Sequence, residues 1–404
     1  MAEPPFVTRL TLENYKSIAQ CDVRLGPLTF LIGPNGSGKS NFVDALRFVA
    51  DAVRYSLDQA LRDRNGIQSV VHRAANRASH MTLGVDFTLS FGRPGSYSLR
   101  LGVLRSGGYE VQLEECRLAP QEQYHIEGPR FSVRDGVVDT NVPDAFPGLK
   151  VVAKDKLLLG VLSAFDTEFR PVSDLLASSI VYNVIPAHMR PPQPSQEAQL
   201  LLGDGSNVAA VLRRIANRDD NAWQRIVDYL KVVVPEVTSV EVESIGQYDT
   251  FALEQATADG KATQHFQAAS LSDGTLRALA ILVALFQGPA DDGHAASLVG
   301  IEEPEAALHP LAVRALLDAL RDASRTTQIV VTSHSPDLLD DADLTPDAIR
   351  VVVHDPGGTR IGPLGKADRA IIGDQTYTIG ELMRRTPLRP GRSSGDSRLG
   401  ASPA

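Results

Sequence analysis

The chain has 404 residues, 43% of them hydrophobic, which is enough for a sizeable core; the length fits two or three domains, or one domain with a large insertion. A formal charge of −9 and a sequence pI near 5.5 exclude a basic nucleic-acid coat, although they leave room for a local basic patch. Two cysteines, Cys21 and Cys116, stand in no metal-like spacing, which suits a reducing cytosol and predicts ordinary small side chains. The N-terminus has no charged stretch followed by an apolar one, so no secretory leader is expected. No apolar run approaches the roughly 20 residues that a bilayer demands. The longest apolar helix, Leu276 to Phe286, reads as a buried core helix. A cytoplasmic protein with no membrane partner is therefore expected.

Residues 7–13 alternate as a strand, 14–17 turn, and 20–25 read as a second strand. Gly26-Pro27 then turns the chain into an apolar strand, Leu28 to Ile32. Residues 41–55 follow as an amphipathic helix, with Phe42, Ala45, Leu46, Val49 and Val53 at helical spacing. The polar stretch 56–80 carries Arg62, Arg64, His72, Arg73, Arg77 and His80. It reads first as a solvated surface and second as a contact for nucleic acid or an acidic partner. Residues 81–91, 96–105, 108–118 and 129–134 alternate between turns and predict an antiparallel meander; 135–150 reads as a loop. Helices are expected over 154–165 and 172–178, and a strand over 179–183. That strand runs into the proline-stiffened segment 186–192. Further helices are expected over 196–202, 206–217 and 219–233, then strands over 237–244, 249–255 and 263–268. No heptad repeat is sustained, which excludes a long coiled-coil arm.

The last third alternates. Helices at 275–286, 311–323 and 336–339 are interleaved with strands at 297–301, 328–332 and 349–353. This is the pattern of a mostly parallel sheet covered by helices. A helix at 379–385 precedes a Pro/Gly/Ser/Arg-rich end, expected to be disordered over 386–404.

Four stretches carry chemistry. Gly33-Pro34-Asn35-Gly36-Ser37-Gly38-Lys39-Ser40 fits the nucleotide-binding P-loop pattern, with the required strand before it and helix after it. Its glycines let backbone N–H groups wrap a phosphate, and the helix start adds a positive dipole end. Lys39 would neutralise β/γ-phosphate charge, and Ser40 would hold Mg²⁺. Leu298 to Glu305 is an apolar strand ending in carboxylates. Glu302 would sit at the metal, and Glu303 would polarise the attacking water. Leu271-Ser272-Asp273-Gly274-Thr275 opens a helix, where Ser272 or Asp273 would serve as an N-cap. Val330 to Pro336 is a strand ending in His334.

In this order and spacing, the four resemble the ABC-class ATPases. The opening Leu10 to Ile18, Asn41 after the P-loop, Ile301 to Pro310 and Thr332 to Pro336 look like the RecF/SMC/OLD branch of that class. Asp204 to Asn207 and Leu271 to Arg277 add a likeness to its stand-alone AAA-type ATPases, which lack a long coiled coil and a toprim domain. The resemblance spans residues 7 to about 385. It implies an α/β fold: an ABC-type P-loop head with a mixed sheet, an antiparallel β subdomain and an inserted helical subdomain carrying the signature motif. Residues 1–150 would form the N-terminal ATPase lobe, 151–270 the inserted lid and 271–385 the C-terminal lobe.

The resemblance also implies roles. Ser272 and the Gly274 backbone would bind the γ-phosphate of ATP held by a second copy. His334 would contact the γ-phosphate, and residues 306–310 would cross the interface of an ATP-dependent homodimer. Asn41 joins Gly33–Ser40 as a nucleotide contact. The Q-loop residue stays open among Asn183, Gln193 and Gln68. Glu302 replaces the family's usual aspartate. ATP and Mg²⁺ are the expected cofactors. The expected activity is ATP hydrolysis by a switch serving DNA maintenance or phage defence; the alternative is a sensor or scaffold that controls a separate effector such as a nuclease. DNA is a partner on the family likeness and the arginines between 54 and 77. A nuclease domain after His334 is not expected, because roughly 70 residues are too few for one.

Overall fold

The computed structural model describes residues 5–72, 79–105, 107–120, 127–142, 150–165, 168–195, 200–257, 262–289, 295–374 and 376–391. The chain opens with β1 (Phe6–Tyr15), β2 (Ile18–Arg24) and β3 (Leu28–Ile32), then α1 (Lys39–Arg54), α2 (Leu57–Arg62) and α3 (Ile67–Val70). The meander follows as β4 (His80–Leu89), β5 (Arg93–Val103), β6 (Tyr109–Leu118), β7 (Arg130–Arg134) and β8 (Val137–Thr140). Next come α4 (Leu158–Phe165), α5 (Arg170–Ala177), β9 (Ser179–Tyr182), α6 (Pro186–Met189) and β10 (Gln193–Pro194). Helices α7 (Val208–Arg218) and α8 (Asp220–Val233) lead to β11 (Val237–Ile245), β12 (Tyr248–Ala256) and β13 (Thr263–Gln267). The last third holds α9 (Asp273–Phe286), β14 (Leu298–Glu302), α10 (Pro310–Ala323), β15 (Gln328–Ser333), β16 (Ile349–Asp355), β17 (Gly358–Pro363), α11 (Lys366–Gly373) and α12 (Ile379–Arg385).

A six-stranded sheet in the order β17-β16-β3-β15-β14-β9 is the spine. It is parallel except for the β16–β17 hairpin. Its central strands are apolar on both faces: all six residues of β15 are buried. Successive side chains then belong to different cores, as a period of two requires. Phe30, Ile32, Val299, Ile301, Ile329 and Val331 join the cluster built by α7, α8, α9 and α10. Leu31, Leu298 and Val330 join the cluster shared with α1, α2, α4, α5 and the meander. The sheet is thus a middle layer that carries P-loop and carboxylates on one edge.

The meander is one seven-stranded antiparallel sheet, β2-β1-β4-β5-β6-β7-β8. Strict alternation along β4 buries one face and leaves the other half-buried. A third antiparallel sheet pairs β12 with β10, β11 and β13. Helix α9 is buried almost all round, as its uniform apolarity predicts. Cys21 and Cys116 are both buried free thiols.

Four expectations need correction. Residues 135–150 are not all loop: Asp135 and Gly136, both at positive φ, make the tight turn into β8, which pairs with β7. Residues 200–202 are not helical, and 196–199 lie outside the described residues. Strand β17 and helix α11 were not anticipated. The C-terminal stretch is held as far as Gly391, whose N–H reaches the Pro363 carbonyl at 2.7 Å; residues 392–404 lie outside the described residues.

Candidate functional site

The P-loop leaves β3 and enters α1. Ser37 N–H donates to the Pro34 carbonyl at 3.2 Å, and Gly33 N–H to the Ser333 carbonyl at 3.4 Å. A Cβ on Gly33 would lie 2.0 Å from the Val352 carbonyl oxygen, and one on Gly38 would lie 2.2 Å from Thr359 Oγ1. Gly38 also has a φ of 105°, which an L side chain resists. Helix α1 begins with no side-chain cap, so its first N–H groups are left for an anion. Ser37 Oγ is buried with no partner among the described residues. Uncapped donors, an orphaned hydroxyl and a loop that takes no Cβ at Gly33 and Gly38 fit a phosphate chain.

Lys39 is 5% exposed. Its ammonium donates to the Gly33 carbonyl at 2.8 Å and the Pro34 carbonyl at 3.0 Å. Burial pulls its pKa below the ordinary lysine value, against the carboxylates of Glu303, Glu305 and Glu302. All four groups therefore gather at one edge of the sheet. Glu302 ends β14 opposite Thr332 of β15. Burial raises its carboxyl pKa, and the neighbouring Ser40 hydroxyl opposes that rise. Ser40 and Glu302 together offer the oxygen donors that a hard divalent cation takes.

The next residue turns sharply. Glu303 has a φ of 45°, a strained conformation for a residue with a side chain. Its N–H is shared between the Thr332 carbonyl at 3.0 Å and Thr332 Oγ1 at 3.2 Å. The turn brings its carboxylate to 3.3 Å from His334 Nδ1, with both side chains about two-fifths exposed at 40% and 43%. This places a carboxylate and an imidazole together beside the P-loop. Glu305, buried in the same turn, accepts from the Ser333 hydroxyl at 2.5 Å. Burial raises its carboxyl pKa against that bond.

Ser272 and Gly274 sit elsewhere. Ser272 Oγ caps α9, accepting from Thr275 N–H at 3.1 Å, as the N-cap pattern predicts. Gly274 packs against the 303–308 turn, where a Cβ would lie 2.4 Å from the Ala307 carbonyl oxygen. Ala307 has a φ of 66°. Among the described residues, no hydrogen bond joins Ser272 or Gly274 to the P-loop of the same chain.

Two residues of this region escaped the sequence reading. Thr359 on β17 donates to the Ser37 carbonyl at 2.8 Å and lies 2.7 Å from Ser17 Oγ. Asn41 Nδ2 donates to the same Ser17 hydroxyl at 2.7 Å, which ties Asn41 to the opening turn. A cavity of about 430 Å³ lined by Lys16, Ser17, Ser69, Val71 and His72 adjoins this cluster. Arg190 is the other. It reaches the Leu271 carbonyl at 3.1 Å and Asp273 Oδ1 at 2.5 Å. Among the Q-loop candidates, Gln193 is buried; its Oε1 accepts from Ala209 N–H at 3.0 Å, and its Nε2 has no partner among the described residues. Asn183 and Gln68 are exposed.

The basic stretch is not a free phosphate-binding stripe among the described residues. Arg64 is buried against Asp44 and Asp51, at 3.0 Å and 3.1 Å. Arg62 pairs with Asp58 at 2.8 Å, Arg54 donates to the Ala177 carbonyl, and His72 Nδ1 meets the Lys16 carbonyl at 2.6 Å. Arg73 and Arg77 lie outside the described residues. On the third sheet, Glu241, Glu243 and His265 come within 4.8 Å of one another. There His265 already pairs with Glu243 at 2.9 Å and Glu254 at 3.1 Å.

A strand–P-loop–helix on a parallel sheet, with the carboxylate strand β14 separated from β3 by the single strand β15, defines a P-loop NTPase head. The family described as "AAA domain, putative AbiEii toxin, Type IV TA system" matches residues 28–131 and 209–340. That is more than half of the chain, and the chain belongs to this family. The "DNA replication and repair protein RecF" of Clavibacter michiganensis is 28% identical over 180 residues, 43% of this chain and 41% of that protein. RecF of Corynebacterium jeikeium is 37% identical over 81 residues, 19% of each chain. The matched part thus spans about two fifths or less of these curated relatives. Among solved structures, the Smc head bound to the C-winged helix domain of ScpA superposes with a TM-score of 0.55 at 13% identity, covering 90% of this chain and 99% of that one. The Smc head derived from Pyrococcus furiosus does so with a TM-score of 0.54 at 12% identity, covering 92% and 99%. The fold is that of an ABC-type ATPase head, and the chain falls in the RecF/SMC branch of that class. Among the described residues, no helix is long and apolar enough to cross a membrane.

Proposed function

We propose that the protein is an ATP-binding and ATP-hydrolysing switch whose two copies close around two ATP molecules. Gly33–Ser40 cradle the phosphates, and Lys39 turns from its loop carbonyls to the β/γ-phosphates. Ser40 and Glu302 hold Mg²⁺, which when bound neutralises phosphate charge. Glu303 orients the attacking water by accepting its proton, and His334 at 3.3 Å steadies that carboxylate and the γ-phosphate. The cavity beside Ser17 and His72 receives the nucleoside end. In this reading 1–150 and 271–385 are the two ATPase lobes and 151–270 the insertion between them, of which α4, α5 and β9 pack into the ATPase core and the remainder forms the lid.

One observation carries the reading. Glu302 beside Ser40 and the Glu303–His334 pair stand at the P-loop, while Ser272 and Gly274 are engaged with Thr275 and Ala307. A protomer thus holds the hydrolytic half of a site and keeps its signature loop for a partner, which a two-fold interface supplies. Loss of the bridging γ-phosphate loosens the closed pair. Service in DNA maintenance or phage defence is supported by the repair role in the RecF name and the toxin system in the family description. A separate effector would then be the output.

The test is sedimentation velocity of Glu303→Gln with and without ATP. A dimer formed only with ATP is expected. A protein that binds ATP and stays strictly monomeric overturns the dimeric switch. Measured turnover of the unaltered protein separates an ATPase from a scaffold. DNA binding titrated against salt decides the nucleic-acid partner.

A further inference from the structure

We propose that Arg190 is the positioning residue of the signature loop, tying Leu271 and Asp273 to the carboxylate edge of the same protomer. The proposal rests on the nucleotide-bridged reading above and adds to it how the loop is held ready for a partner.

The segment bearing Arg190 starts at the site. Strand β9 runs parallel to β14, with Tyr182 opposite Ile301. The chain therefore leaves the sheet beside Glu302 and Glu303. Backbone bonds then fix its path: Asn183 N–H reaches the Gly203 carbonyl at 2.8 Å, and Ile185 N–H the Asp204 carbonyl at 3.0 Å. His188 Nδ1 lies 2.9 Å from Asp204 Oδ2, and Met189 is 1% exposed. After Arg190, Pro191 and Pro192 keep the backbone extended.

From this fixed stem, the Arg190 guanidinium meets two acceptors at once: the Leu271 carbonyl at 3.1 Å and Asp273 Oδ1 at 2.5 Å. One acceptor lies on each side of Ser272. Both bonds leave one nitrogen, Nη2, whose two hydrogens are fixed in the guanidinium plane, whereas a lysine's donors rotate on a flexible stem. The opposite flank of the loop rests on the 303–308 turn through the close approach of Gly274 to Ala307. The loop is thus gripped between two elements that both spring from the sheet edge carrying Glu302 and Glu303. Ser272 reaches its partner's phosphate in a set geometry only while both grips hold. Among the described residues, Arg190 makes no hydrogen bond to its own P-loop; its side chain bonds to Leu271 and Asp273, so it acts through the signature loop.

The experiment compares unaltered protein with Arg190→Ala, Arg190→Lys, Asp273→Ala and the double variant Arg190→Ala/Asp273→Ala. Each is assayed for kcat and KM, for affinity of the isolated protomer for a fluorescent ATP analogue, and for amide hydrogen exchange over 271–276. Expected for Arg190→Ala is a fall in kcat of about tenfold or more, with protomer ATP affinity within about twofold because the P-loop is intact. Arg190→Lys should fall between the two, which also guards against a variant that merely fails to fold. The double variant should lose little beyond Arg190→Ala, since Asp273 acts through Arg190. Exchange over 271–276 should rise without a rise in the interior of α9. Unchanged kcat and exchange in folded Arg190→Ala, or a parallel loss of ATP affinity, overturns the proposal. If the unaltered protein shows no turnover, the parent reading has failed instead, and the exchange result alone then decides whether Arg190 holds the loop.

Discussion

Replacing Arg64 separates a buried structural cation from a nucleic-acid ligand. Its side chain is 7% exposed, against 21% for Asp44 and 18% for Asp51. The Arg64 Nε–H lies 3.0 Å from Asp44 Oδ1, and Nη1 donates to Asp51 at 3.1 Å and the Ala60 carbonyl at 2.9 Å. The guanidinium also covers the Phe48 ring at 5.3 Å. Removing one partner of a buried pair costs about 3–5 kcal/mol. Asp44 keeps Lys16 at 2.5 Å and the Tyr15 hydroxyl at 2.7 Å, which sets Arg64→Ala at the low end, about 3 kcal/mol, or a hundredfold in the folded ratio.

The sign with pH follows from the carboxylates. Burial pushes Asp44 up, but Arg64 and Lys16 outweigh it and hold its pKa below the usual value. At Asp51 burial wins over Arg64 and Arg47, and the pKa rises. The Asp44 contribution is present above its unfolded pKa of about 4 and fades as pH falls through the lower folded value. The penalty of Arg64→Ala should therefore be full at neutral pH and shrink below about pH 4. Urea denaturation followed by far-UV circular dichroism at both pH values measures it. A phosphate ligand would behave otherwise, leaving stability intact and lowering the salt slope of DNA binding by about one. Unchanged denaturation together with that reduced slope would refute the structural assignment.

Gly38→Ala should abolish binding of a fluorescent ATP analogue while the far-UV spectrum is kept, because its Cβ would strike Thr359 Oγ1 at 2.2 Å with φ at 105°; retained affinity would contradict the close-packed loop. Gly274→Ala would place a Cβ 2.4 Å from the Ala307 carbonyl, so turnover should drop about tenfold or more at unchanged protomer affinity for ATP, and wild-type turnover would argue against the loop contact. Glu114 is fully buried, accepting from Leu158 N–H at 2.5 Å, Leu159 N–H at 2.9 Å and the Tyr97 hydroxyl at 3.1 Å. Burial pushes its carboxyl from 4.5 up to about 7, so the folded state holds the proton more tightly than the unfolded chain. Its contribution is fullest below the unfolded value and is lost as pH climbs through about 7, a change of about 3 kcal/mol. Urea denaturation at about pH 5 and about pH 8 should show the stability difference between the unaltered protein and Glu114→Gln narrowing with pH, and a constant difference would count against the buried acid.

Much of the site was legible because its signals are local. Gly33 to Ser40 needs only its own glycines and the strand and helix on either side. Glu302 and Glu303 stand out because an apolar strand has no other use for acids at its end. The meander announced itself through alternation, and Ser272 through its place before α9. Strand β17 left a weaker trace: Gly358 to Pro363 carries two glycines and a proline, so Thr359 could not be placed beside the P-loop.

What the sequence determined by itself is whatever a few consecutive residues dictate: backbone freedom at Gly33 to Ser40, helix and strand periods, and the cap at Ser272. Only the tertiary structure decided which charges are spent and which are free. Arg64 looked like one of a basic run until Asp44, 20 residues away, buried it. Arg190 passed unremarked in a proline-stiffened segment until Asp273, 83 residues on, gave it a partner. A side chain's energetics depend on its partner and its exposure, and both are set by chain crossings that no local pattern encodes.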